Sequence, residues 1–529
     1  MKLNTIAYLI KEGVEAGNAV DPKKIPKGIK FTLSDRDCIL YLSESFNMPK
    51  WAELFNSIEE IDEFNFGTKS LKGLMIVPTQ QRHLAFTFGY GKSMLYSHMI
   101  ERGFGLRVAL NLGDAEKIKS IDKSTLDRVS LKTKSQISKS TNVNDFDFEF
   151  DQEILKSICA SIESDCDMNE VVSGSDAVSL YTEVELSTFP DLADRLISAY
   201  REQTYKEKYP WVDFIQPISD PALIKTLNDN ILSSINNDSL ENIWISPPEV
   251  IDYSDLSGFV YRSSKANSPC FHHELNLNIL IKEAHMRKPI SVESLKRRKI
   301  KRFNASEQEI GAWSVYHCLN AEVLLDDETY ILNDEYWYRV NNEFSKSINT
   351  FFDNMDRSDI DFPDFHGMNE ADYLMTVADK ENFSLLDRKL IRPTNTGNRI
   401  EFCDLLSQCN AFIHVKKYSS SSVLSHLFSQ ASVAIDCLMN DPSVQPQVNA
   451  YLEDTYLSLR FNIDDSPRKY RVILAIMQGT SGDLHLPFFS KVNLRHHARR
   501  LTNMGFKVEL AKIHSSRGNC KAPSLCVEQ

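Results

Sequence analysis

"RIEFCDLLSQCNAFIHVKK", residues 399–417, reads as two short apolar strands joined by a turn. The first strand ends on Asp404 and the second carries Lys416. An acid and an ammonium on neighbouring apolar strands have two explanations. One is an ordinary ion pair at a sheet edge. The other is a metal-dependent site for phosphodiester chemistry.

The flanks extend the pattern to helix, three strands, helix. The apolar spacing of "MNEADYLMTVADKE" (368–381) predicts a helix, and "FSLLDRKLI" (383–391) a strand. "SSVLSHLFSQASVAIDCLM" (421–439) is a second helix. "YRVILAIMQ" is a further strand, "KVNLRHHARRLTNMGF" a helix, and "KVELAKI" the last strand. Glu370 therefore falls on the helix before the sheet, and Gln430 on the helix after it.

Metal-dependent cleavage of a phosphodiester needs carboxylates for a hard cation. The cation acidifies water and neutralises phosphate, and a nearby ammonium steadies the charged transition state. Residues two apart in a strand share a face, so His414 and Lys416 point the same way. These parts resemble the PD-(D/E)xK nuclease superfamily, the restriction-endonuclease-like fold, over about 65 residues. That resemblance implies a mixed sheet flanked by helices. It implies Glu370 and Asp404 as ligands of Mg²⁺ or Mn²⁺, Lys416 as the assistant of the attacking water, and Gln430 as the helical glutamine. The chain departs from the family at His414, where an acid is usual. Imidazole suits Mn²⁺ better than Mg²⁺. So His414 is a third candidate ligand, Asp387 is a candidate replacement, and Glu401 needs a bulge to reach the same face.

The chain has 529 residues, too many for one ordinary core. The expected fold class is α+β with α/β elements in several domains. The expected divisions are 1–115 (α+β), 116–152 (a charged connector), 153–304 (mainly helical), 305–515 (restriction-endonuclease-like) and a tail, 516–529. "GLRVALNLG" (105–113) follows two strand-like runs and reads as one more. The net charge of −13 excludes a generically basic polyanion binder, so nucleic acid must be met by local patches. No two of the ten cysteines are spaced C-x-x-C, which leaves no zinc ribbon and suits a reducing cytoplasm. No apolar run is long enough for a membrane span, and no signal peptide is recognisable.

Two basic clusters offer such patches. Lys296, Arg297, Arg298, Lys299, Lys301 and Arg302 put six charges into seven residues; the plain alternative is a solvated edge strand. Arg495, Arg499 and Arg500, with His496 and His497, form the second on a helix face. Ser419–Ser422 supply either helix-capping hydroxyls or a phosphate contact. Gly91-Lys92-Ser93 imitates a phosphate loop, but Phe86 stands where that motif needs glycine. His272-His273-Glu274 offers three ligands in a row, which cannot all face one ion.

Over nearly its whole length the chain also resembles a sporadically distributed bacterial family of unknown function. The carrying stretches are "LAFTFGYGKSML", "YPWVDFIQPISD", "YILNDEYWYRV", "FIHVKKYSSSSVLSHLFSQ" and "LPFFSKVNL". That resemblance implies an anti-phage or mobile-element setting. The expected function is cleavage of nucleic acid, DNA in preference to RNA, in the cytoplasm. A second copy of the chain or a companion defence protein is the expected partner. The alternative is a catalytically inactive nuclease fold acting as sensor or scaffold.

Overall fold

The computed structural model describes the chain from Lys2 to Ser515, apart from residues 23–27, 48–54, 56–57, 59–66, 81, 126–131, 151–152, 163–169, 241, 250, 252–255, 262–269, 305–308, 382, 395–398, 419–420, 453–468 and 480–481. The tail expected at 516–529 lies outside the described residues. The fold is mixed α/β, with several sheets. The chain divides into two units, residues 1–124 with 132–214, and residues 215–529 with 125–131. Among the described residues no helix is long and apolar enough to cross a membrane.

The first unit is built on a ten-stranded sheet. Its spatial order is Ile29–Leu33, Arg36–Asn47, Thr68–Pro78, His83–Gly89, Lys2–Leu9, Ala177–Glu183, Val171–Gly174, Glu153–Ile162, Gly113–Thr125 and Lys132–Thr141. The connector expected at 116–152 is thus largely two strands of this sheet. Lysine and serine disguise a strand in which Ile118, Ile121 and Lys123 are buried, with a register shift between Ile118 and Ser120 that breaks simple alternation. Lys123 is neutralised by Glu153 at 3.0 Å. The outermost strand, Lys132–Thr141, is rich in Lys and Ser, as an edge strand that must stay unpaired should be. Residues 153–183, expected to be helical, supply three more strands.

"GLRVALNLG", read as a strand, belongs to a helix, Phe104–Leu112. Phe104, Val108 and Ala109 are buried one turn apart. The helix lies very close to the sheet. A Cβ on Gly105 would meet the Ala177 carbonyl oxygen at 1.9 Å, and one on Gly174 would meet the Gly105 oxygen at 1.9 Å. Asn111, near its end, is saturated. Its amide donates to the carbonyls of Ala199 (2.8 Å) and Glu202 (3.1 Å), and its oxygen accepts from the Thr204 hydroxyl and Tyr205 N–H. Asn111→Leu strands four partners, two of them buried, and is expected to cost about 2–4 kcal/mol in urea unfolding. Gly91 of the apparent phosphate loop packs on the Gly73 carbonyl, and Phe86 is core. That turn is a packing device.

In the second unit, a five-stranded sheet (Ile215–Pro217, Tyr336–Val340, Glu328–Asn333, Leu319–Leu325, Ile243–Ile245) and a three-stranded one (Leu256–Val260, Lys299–Asn304, Glu309–Ser314) share one core, from Leu227 to Trp337. The division expected at 304/305 therefore cuts through this core. Asp326 and Asp327 form an acidic turn, both with positive φ, as a two-residue hairpin loop requires.

The C-terminal part follows. Helix α1 (Glu370–Glu381) leads to β1 (Ser384–Leu385), β2 (Leu405–Leu406) and β3 (Ala411–Lys417). Helix α2 (Ser421–Asn440), β4 (Arg471–Gln478), α3 (Phe488–Asn503) and β5 (Lys507–His514) complete it. The sheet order is β1-β2-β3-β4-β5; β1, β2 and β3 pair antiparallel, whereas β3, β4 and β5 pair parallel. Parallel strands buried on both faces read as apolar runs, as β4 does. Phe412 packs with Leu427, Phe428 and Leu494 on one face. Ile413 and Val415 pack with Tyr373, Leu374 and Val377 on the other.

Candidate active site

The site forms where the first long strand is interrupted. Leu390–Ile391 pairs with Ile400–Glu401 as a separate ribbon, and β2 begins only at Leu405. Phe402, Cys403 and Asp404 fill the break and are buried. Asp404 thus precedes a strand rather than ending one. Its N–H donates to the Ile413 carbonyl (3.0 Å), and its carbonyl accepts from Leu386 and Asp387 N–H (2.9 and 3.1 Å). Its carboxylate accepts the Val415 N–H at 2.6 Å. A side chain here takes a place in the ladder that main chain would normally fill.

The break also removes the odd-spacing problem at Glu401. Gln430 on α2 donates to the Glu401 carboxylate at 2.9 Å, and Arg388 N–H donates to its other oxygen at 3.2 Å. Asp387 enters on the turn after β1. Asp387 and Glu401 are close enough to act on Asp404, and Glu401 on Asp387. Burial first, then Asp387 and Glu401, push Asp404 up to about 7, against the opposing pull of the Val415 N–H and Lys416. Burial, then Glu401 and Glu370, push Asp387 up.

Lys416 closes the constellation. Its ammonium meets the Glu370 carboxylate at 2.7 Å, and the Lys417 N–H donates to the other Glu370 oxygen at 3.3 Å. Glu370 sits in the first turn of α1, where a negative charge is favoured. Burial is the largest single influence and opposes the Lys416 charge, but the Glu370 hydrogen bond and the charges of Glu370, Asp404 and Glu401 together outweigh it and raise its pKa. Its ammonium is held firmly protonated.

His414 shares the Lys416 face but lies deeper. It is fully buried, and neither ring nitrogen has a hydrogen-bond partner. Burial first and Lys416 second bring it down to about 3, so it is neutral. An unsatisfied buried imidazole costs about 1–3 kcal/mol. His414→Leu, similar in volume, is expected to raise the melting temperature of the metal-free protein and to leave Mn²⁺ affinity unchanged. A tenfold loss of that affinity by calorimetry would instead make His414 a ligand.

Of the expected ligand set, the structure brings Glu370 to Lys416 and Gln430 to Glu401. Among the described residues, the group whose ligand atoms all lie within 4.8 Å is Cys270, His272 and Glu283; neither Glu370, Asp404 and His414 nor Asp387, Glu401 and Asp404 is gathered so closely. Glu401 and Asp387 complete the acid cluster. Sequence spacing admits Glu401 only if the strand is irregular, because the strand break is invisible to a period-two count. Side chains of Ser419–Ser422 lie outside the described residues.

The basic clusters are largely spent. Lys299–Asn304 is the central strand of its sheet, not an edge. Arg302 pairs with Glu249 (3.0 Å) and lies over Trp313, and Lys301 pairs with Glu309 (2.6 Å). Arg298 donates to the Ala284 carbonyl, and Lys296 lies over Tyr316. Arg297 and Lys299 are exposed. On α3, Arg495 is buried, over Phe344 and donating to Ser347, so it is a packing residue rather than part of a basic face. Arg500 lies 3.5 Å from Asp436, and Arg499 is exposed.

No curated protein and no solved structure matches the chain. One family does, described as "Family of unknown function (DUF6119)", over residues 5–514. Spanning nearly every residue from the first strand to β5, that match means the chain belongs to this family.

Proposed function

We propose that the C-terminal part is a restriction-endonuclease-like, divalent-metal-dependent nuclease. The observation that carries this is buried Asp404 at the break before β2, within electrostatic reach of Asp387, Glu401 and Lys416, with Lys416 paired to Glu370 at 2.7 Å. The run of α1, three antiparallel strands, α2 and a parallel strand supports it.

The donor set suits a hard cation. All three carboxylates are oxygen ligands, and the raised pKa of Asp404 reflects repulsion and burial that a cation would relieve. Mg²⁺ or Mn²⁺, when bound, would acidify water and draw charge from the phosphate. Asp404 would be the fixed ligand, with Asp387 and Glu401 beside it. Gln430 orients Glu401, and Glu370 aims the Lys416 ammonium at the scissile phosphate's developing charge. Glu370 thus acts as a positioning residue. DNA as substrate, and a defence setting in the cytoplasm, are part of the same proposal.

A second reading keeps the fold and drops the cutting. Its support is His414, a sealed neutral ring where the nuclease pattern has an acid, and Lys416, already engaged by Glu370. The test is incubation of the purified full chain with supercoiled plasmid or single-stranded RNA and Mg²⁺ or Mn²⁺. Nicked or linear product that disappears with chelator supports the nuclease. Intact substrate with every metal, together with a shift on a native gel, supports the reader.

A further inference from the structure

A second constellation lies away from the C-terminal sheet. His272 sits beside the strand Leu256–Val260, its main chain exchanging hydrogen bonds with Phe259 at 2.8 and 2.9 Å. Cys270 is two residues earlier, so on extended backbone its side chain emerges on the same side. Glu283 is the last residue of the helix Leu277–Glu283. His272 Nε2 and a Glu283 oxygen are 2.8 Å apart, and the three ligand atoms all lie within 4.8 Å of one another. The Tyr261 ring stacks on the imidazole at 4.6 Å. The Tyr261 hydroxyl, in turn, accepts from Asn276 N–H and donates to the Glu274 carbonyl. The imidazole is therefore held in place by main-chain pairing beneath it and an anchored ring beside it.

From this the geometry points to a zinc site formed by Cys270, His272 and Glu283. A thiol, an imidazole and a carboxylate form a borderline donor set that favours Zn²⁺ over Mg²⁺ or Ca²⁺. Tetrahedral zinc spaces its ligand atoms by roughly 3.3–3.8 Å, so a modest inward rotation of the exposed Cys270 side chain completes the set. Three protein ligands leave a fourth position for water or an outside donor. Binding releases the thiol proton to solvent and replaces the His272–Glu283 contact by shared coordination. The ion then clips the end of a helix to the segment that bridges Phe259, and so to the strand Leu256–Val260, which itself pairs with Lys299–Asn304. His273 and Glu274, adjacent in sequence, take no part.

The test uses the full chain stripped with chelator and titrated with Co²⁺, the spectroscopic stand-in for zinc. One equivalent is expected to raise a thiolate-to-cobalt charge-transfer band, which added Zn²⁺ then bleaches. Cys270→Ser should abolish the band, and Glu283→Gln should weaken binding tenfold or more. Cys409→Ser, an exposed cysteine elsewhere, should leave it intact. Asp404→Asn should also leave it intact, which separates this site from the acid cluster beside the buried Cys403. Circular dichroism shows whether each variant is folded. No thiolate band in the folded wild type, or a band that survives Cys270→Ser, overturns the assignment.

Discussion

An Asp404→Asn protein is expected to lose metal-dependent cleavage and yet to melt later than the wild type in the presence of chelator. Both effects have one cause. Asp404 is 2% exposed and shares its surroundings with two other acids. Raising its pKa from the usual value near 3.9 to about 7 corresponds to a penalty on the order of 4 kcal/mol when the charge is present. The sign follows from proton binding. Between about pH 4 and 7 the folded chain keeps a proton at Asp404 that the unfolded chain has released, so stability falls as pH rises through that window. Asparagine carries no charge and retains an oxygen for the Val415 N–H. A gain of about 1–3 kcal/mol in urea unfolding is expected at pH 8, and almost none at pH 4. In the same samples Mg²⁺ or Mn²⁺ should stabilise the wild type and not the variant. A variant less stable than the wild type at pH 8 would show that the carboxylate is an asset to the fold rather than a charge awaiting a cation.

Lys416→Met should act in the opposite sense, harming chemistry and sparing the fold. The Lys416–Glu370 pair is a quarter to a third exposed, so its loss is expected to change stability by less than about 1 kcal/mol. Cleavage should fall by about 10²–10³-fold, the usual result of removing one preorganised charge from a transition state. DNA retention on a native gel should be preserved, since one ammonium contributes little to a polyanion contact. Glu370→Gln separates aiming from charge. It leaves the ammonium but removes the ionic partner that holds it, and a loss nearer tenfold is expected. Equal losses in the two variants would place Glu370 among the groups that touch substrate or metal.

Much of the C-terminal part was legible from residues 368–513. The three helices and the strands β3, β4 and β5 appear as expected, because α1, α2 and α3 carry helical apolar spacing and β3 and β4 are apolar runs, whereas the strands expected at 383–391 and 399–406 are each broken into two short pieces. Asp404 and Lys416 were legible as charges among apolar neighbours. Asp387 was only an alternative, because it lies on a turn whose course depends on tertiary contacts. Glu401 was legible only on condition of a bulge, since the break at Phe402–Asp404 is held by side-chain and long-range bonds that local pattern does not encode. The first unit was less legible. Its strands Gly113–Thr125 and Lys132–Thr141 are masked by Lys and Ser that serve edge protection and a buried ion pair. Basic density alone does not show which charges already have partners within the chain. Arg302, Lys301 and Arg495 looked like a nucleic-acid surface, but each has found an acid, an aromatic ring or a hydroxyl inside its own domain.

Because the Asp404 carboxylate stands in for a rung between β2 and β3, its position is settled when the chain folds and not when anything docks. Little conformational freedom at that group is left to surrender on capture of a cation. Selectivity at that spot is then governed by dehydration of the ion and by the charge it offsets, so it should respond to ionic radius far more than to hinge motion.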